Sequence, residues 1–205
     1  MVSPIRGNTS IRRMMAAILL GFALLVTVSV IVTFWGLAAQ SQDAQVINLA
    51  GRQRMLVQEM TRLAIEQEHG HDPQTRAELS QAAAFFDATL QALVHGGLAP
   101  YTPGNQVSVP PAPRNIQPLL LEVSQTWAPY LQTLSALQEL EPGSLGFQAR
   151  LDELRLISPL LVQQTDAAAR AYTAAASQGA QSLRLVQAGF LAAALGLLAL
   201  GWVST

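Results

Sequence analysis

Cysteine and lysine are both missing from the 205 residues. Without cysteine there is no disulfide, no thiolate nucleophile and no Cys-based zinc or iron–sulfur site. Without lysine there is no Schiff-base amine and no phosphate-loop lysine, and all twelve basic residues are arginine. Charge is also scarce, at 12% of residues against 50% hydrophobic, where soluble domains carry about 25% charged. A formal net charge of −1 removes the basic field that nucleic-acid binding needs, so no nucleic-acid partner is expected. No GxSxG, glycine-rich phosphate loop or HExxH occurs. No catalytic residue, resident metal or cofactor is therefore expected, and the chain reads as a non-enzyme.

The missing charge is concentrated in two places. No charged residue occurs from Met14 to Gln42, and Met14 to Ala39 is apolar except for Thr27, Ser29, Thr33 and two glycines. A helix needs about 20 such residues to cross the hydrocarbon core. A second run, Leu185 to Val203, is broken only by Gln187. The sequence therefore predicts transmembrane helices over 14–39 and 185–203. Arg6, Arg12 and Arg13 precede the first, which predicts a cytoplasmic N-terminus over 1–13. All thirteen acids lie between Asp43 and Asp166, against eight arginines from Arg52 to Arg170. Residues 40–184 are then outside, and 204–205 return to the cytoplasmic side. Arg184, at the outer edge of the second span, is placed to snorkel. Leu37-Ala38-Ala39 loosely resembles a signal-cleavage site, but a signal core is about 7–15 residues. An uncleaved anchor is expected. The sequon Asn8-Thr9-Ser10 falls on the cytoplasmic side.

Four helical patterns fill the outer segment. Val46, Leu49, Gln53, Leu56, Met60, Leu63 and Gln67 share one face and continue from the first span without a breaker. Gly70, Asp72 and Pro73 end that helix and start the next. The second helix carries Leu79, Ala83, Phe86, Leu90 and Leu93, and stops at Gly96-Gly97. Five prolines between residues 98 and 113 predict a loop there. The third helix aligns Ile116, Leu120, Val123, Trp127, Tyr130, Leu134 and Leu137, with Pro129 inside it. Ser144 is placed to cap the fourth, whose stripe runs Leu151, Leu154, Ser158, Leu161, Thr165, Ala168, Tyr172, Ala175, with Pro159 inside. Together these predict an all-α fold: an antiparallel up-down four-helix bundle flanked by two transmembrane helices.

The first helix has a second stripe that a plain bundle does not require. Ile47, Gly51, Arg54, Gln58 and Thr61 keep the same spacing one residue, or about 100°, around. Such residues are poor core. They suit either solvent or a two-fold contact with a second copy, in which Arg54 meets its counterpart. Two guanidiniums repel unless an anion bridges them with bidentate hydrogen bonds. Gly51, one turn earlier, leaves room for a ligand or the partner helix. A solvated surface arginine is the other reading of Arg54.

Ile47-Asn48-Leu49-Ala50-Gly51-Arg52-Gln53-Arg54-Met55, followed by Gln58, resembles the P-box of bacterial periplasmic sensor domains. These include the NarX/NarQ-type nitrate/nitrite sensor kinases of two-component systems and the type IV pilus chemoreceptor PilJ. The resemblance implies a dimeric helical sensor in the bacterial inner membrane. It implies ligand contact at Arg54, with Gly51, Arg52, Ile47 and Gln58 around it, and a small anion such as nitrate or nitrite as the ligand. The Arg52-Gln53 pair departs from the nitrate sensors and looks more like the pilus-chemoreceptor branch. Arg52 itself has two readings, an anion contact or a pair with Glu59. The expected function is a membrane-anchored signal-transduction receptor module whose partners are the bilayer, a second copy and a cytoplasmic output module or protein. The rival is an assembly protein: a helical bundle that holds another complex and binds no small molecule. His69 and His71 invite a zinc reading. They sit at the distal tip, roughly 40 Å along the helix from the membrane, and a solvated turn is the expectation.

Overall fold

The computed structural model describes residues 8–203 except residues 71 and 103. In chain order the elements are α1 (Asn8–Glu66), one 3-10 turn (Gln67–His69), α2 (Pro73–His95), β1 (Gly97–Thr102), β2 (Asn105–Val109), α3 (Gln117–Glu139) and α4 (Leu145–Val203). The chain divides into two compact units, Met1–Ser41 with Ala176–Thr205, and Gln42–Ala175.

The first unit is made from the apolar stretches of α1 and α4, both long and apolar enough to cross a membrane. Leu20, Phe34, Trp35, Leu191 and Trp202 are exposed, a distribution suited to hydrocarbon rather than water. Three polar side chains of this unit find partners within it. Thr27 and Thr33 donate to the carbonyls of Ala23 and Ser29, both at 2.8 Å, and Gln187 Nε2 donates to Thr33 Oγ1 at 3.3 Å. A Cβ on Gly36 would collide with Leu183, so glycine permits that close approach. Two candidate spans of this kind fit an inner-membrane protein.

In the second unit all four helices feed one core. Leu49, Met60 and Leu63 of α1 are buried with Phe86 and Leu90 of α2, Tyr130 and Leu134 of α3, and Phe147, Leu154 and Leu161 of α4. Phe86 and Trp127 meet at a tilt with centroids 4.1 Å apart, and Trp127 and Tyr130 stack at 5.7 Å. Side-chain bonds fix the helix directions. Residues 54, 61 and 68 of the first outer helical stretch bond to 166, 158 and 148 of α4, so the two run antiparallel. Likewise Arg76 and Asp87 of α2 bond to Gln138 and Trp127 of α3.

The helix ends follow their caps. Asp72 accepts from the Thr75 hydroxyl and from the backbone N–H of Thr75 and Gln74, ahead of Pro73 at the first turn, and those bonds hold its carboxyl below the usual range. Ser144 Oγ accepts from Phe147 N at 3.2 Å. Pro129 and Pro159 lie inside α3 and α4 without ending them.

Residues 98–113 correct the sequence expectation of a loop. Most of the segment is an antiparallel hairpin pairing Gly97 with Val109, Ala99 with Val107 and Thr102 with Asn105. The fold is thus mostly, not wholly, α. Proline is tolerated because a two-stranded ribbon has only edges, and Pro100 sits beside the register shift between Pro100 and Thr102. Gly104 supplies the turn at φ +78°. Ala99 and Val109 turn inward and join the helical core.

Candidate functional site

The five candidate ligand residues of the P-box do not form one surface. Arg54 and Gln58 are exposed, Gly51 and Arg52 are half-buried, and Ile47 packs partly against the core. A Cβ on Gly51 would meet nothing within 4 Å, so the room expected beside it is present. Thr61 departs from the expectation of poor core material. Its hydroxyl lies 3.0 Å from Tyr130 Oη and 2.8 Å from Ser158 Oγ, joining α1, α3 and α4 in one hydrogen-bonded knot. Burial pushes the Tyr130 hydroxyl up to about 12, against the opposing pull of its bond to Thr61.

Arg54 reaches across to α4, where its Nη1 donates to Asp166 Oδ1 at 3.0 Å. Its side chain is 49% exposed and that of Asp166 26%. Arg170 binds the other oxygen of the same carboxylate. One negative charge thus serves two guanidiniums, and the group is locally cationic in an acidic segment.

Arg52 faces elsewhere. Two residues along a helix is a turn of about 200°, and the guanidinium lies over the Phe85 ring at 4.5 Å while Nη1 donates to the Tyr101 carbonyl of β1 at 2.6 Å. The pair with Glu59, one of the two readings of Arg52, is not formed. Glu59 instead takes Arg62, whose hydrogen bond holds its carboxyl below the usual range. Arg52 therefore pins the hairpin to the helices and edges a cleft of about 400 Å³ between α1, α2 and the hairpin, with Glu59, Glu78, Gln81, Phe85 and Thr102 among its walls. Sequence reasoning missed Phe85, Glu78 and Tyr101 because their meeting with Arg52 depends on the hairpin. The available signal was the Val107-Ser108-Val109 alternation behind Gly104-Asn105.

Gln53 lies between the two arginines in sequence but is buried, and among the described residues neither of its amide atoms has a hydrogen-bond partner. Among the described residues no group of three or more His, Asp or Glu side chains could hold a metal ion. His71 lies outside the described residues, and the His69 side chain is likewise not described.

The second unit thus carries an exposed arginine face and an open cleft, on helices that also supply two candidate spans. Residues 35–145, just over half the chain, match the family model PilJ, described as the type IV pili methyl-accepting chemotaxis transducer N-terminal region. The chain belongs to that family and is a chemoreceptor-type module for sensing and signal transduction. The match holds the whole P-box and the hairpin but stops at the start of α4, so Asp166 and Arg170 lie beyond it. No curated protein and no solved structure matches the chain.

Proposed function

We propose that residues 40–184 form the extracytoplasmic sensor of a homodimeric inner-membrane receptor, built as an up-down four-helix bundle with both termini cytoplasmic. The P-boxes of two copies face one another, and a small anion such as nitrate or nitrite meets Arg54 at their interface. The observation that carries this reading is the Arg54–Asp166–Arg170 group, where one carboxylate serves two exposed guanidiniums. Pairing two such groups across a two-fold axis concentrates positive charge, and an anion between them removes the repulsion. Gly51 leaves the approach open. Ligand contact shifts the first helices against the fourth, and the shift passes through the spans to the cytoplasm. The chain is non-catalytic in this reading. Kinase, methyl-accepting or cyclase chemistry belongs to a cytoplasmic output module or partner protein.

The test uses the full chain in lipid nanodiscs. Nitrate or nitrite is expected to raise the melting temperature, and Arg54→Ala to abolish the rise. A melting temperature indifferent to nitrate, nitrite and a wider anion panel overturns the anion reading and favours a structural role in assembly. A flexible Gly-rich insertion at residues 39–42 addresses transmission, since unchanged signalling there defeats the helix-shift mechanism.

A further inference from the structure

Arg52 is the P-box residue that the anion reading does not use, and its surroundings are unlike those of Arg54. The cleft it edges brings together one guanidinium and two carboxylates over an apolar floor that includes Leu56 and Phe85. Opposite charges in a shared cleft ordinarily close on each other. Here they do not: among the described residues neither Arg52 nor Glu78 has an ion-pair partner, and Glu59 is taken by Arg62. Arg52 is held by other means, whereas Glu78 is exposed and has a single bond within its own helix. Arg52 is stacked on Phe85 and bonded to the Tyr101 carbonyl, while Glu78 accepts from Gln74 Nε2 at 2.9 Å. Stacking holds the guanidinium plane still, and Tyr101 takes only one of its five N–H donors. The remaining edge is free to bind a planar carboxylate.

We propose that this cleft binds a zwitterionic α-amino acid with an apolar side chain. The ligand carboxylate meets the free edge of Arg52, its ammonium meets Glu78, and its side chain lies against Phe85 and Leu56. A held cation and an exposed carboxylate that share a cleft with Leu56 and Phe85 match a molecule that carries both charges and a hydrocarbon group. The volume of about 400 Å³ is ample for one amino acid, and small-ligand sites run from about 300 Å³ upward. Because Arg52 also holds β1 through Tyr101, occupancy would tighten the hairpin onto α1 and α2. This site is separate from Arg54 and stands whether or not an anion binds there.

The full chain in nanodiscs is titrated calorimetrically with L-leucine and L-phenylalanine, and with isoamylamine and N-acetyl-L-leucine as leucine analogues lacking one charge. At least one amino acid is expected to bind. The single-charge analogues, Glu78→Gln and Arg52→Lys should each weaken binding about tenfold or more, the loss expected for one charge-assisted contact. Arg52→Lys keeps the positive charge, so an unchanged circular dichroism spectrum separates lost recognition from lost folding. Arg54→Ala should leave amino-acid binding intact while removing any nitrate response, so the two sites fail separately. No heat with either amino acid, isoamylamine binding as tightly as leucine, or full affinity in both variants overturns the proposal.

Discussion

Two faces of one helix, two residues apart in sequence, have opposite surroundings. The Arg54 face looks outward, with an exposed guanidinium sharing a carboxylate of α4. The Arg52 face looks into a cleft, with its guanidinium stacked on Phe85 and tied to the hairpin. The charge of the first is screened by water and salt. The second lies beside apolar side chains. A motif read as a string treats the two arginines as a pair. Their difference is that identical charges acquire different uses from what lies opposite them.

The largest perturbation collapses both faces together. Phe86 is fully buried beneath them, against Trp127. Phe86→Ala is expected to cost about 3–5 kcal/mol, read by chemical denaturation. Next is alkaline titration. The folded Tyr130 hydroxyl sits at about 12 against an ordinary 10.0. Its protonated form is therefore favoured in the fold, so the stability it contributes is complete below about 10 and is lost as pH climbs through about 12. An offset of that size amounts to about 2–3 kcal/mol. Tyr130→Phe should flatten that part of the profile, while a profile identical to wild type would show that Tyr130 ionises freely. Tyr172, pushed up to about 12 by burial, adds a further fall in the same window.

Smaller changes separate the faces. Thr61→Val keeps the shape but removes the hydroxyl between Tyr130 and Ser158, under the Arg54 side. It should cost about 1–2 kcal/mol because two partners lose a bond. Gly104→Ala acts only on the cleft side. Its Cβ meets no atom, so the cost is the strain at φ +78°, about 1 kcal/mol. Hydrogen exchange should quicken over 97–109 and remain unchanged around Arg54. Last, Arg54→Ala should change stability by less than about 1 kcal/mol, since an exposed pair is largely screened. A larger loss would mean that Arg54 is a stabilising contact rather than an open ligand position.

Much of this architecture was legible in the residues alone. Apolar spacing of three and four marked each buried stripe, and Leu49, Met60, Phe86, Tyr130 and Leu161 all fall in the core as that spacing requires. Asp72-Pro73 and Ser144 announced their helix starts through cap chemistry that needs no distant partner. Two uncharged runs announced the candidate spans by length and composition. The hairpin was less visible, because its prolines mask an alternation that matters only once two strands pair.

The sequence by itself therefore determined the helices, their buried faces and their caps, since each depends on residues within a turn or two of one another. Only the tertiary structure decided that residues 97–109 form a hairpin, that Thr61 ties α1 to α3 and α4, and that Arg52 and Arg54 part company. The last of these depends on partners 49 and 112 residues away, Tyr101 and Asp166. A one-dimensional period places a side chain on a face of its helix but holds no information about what that face will meet.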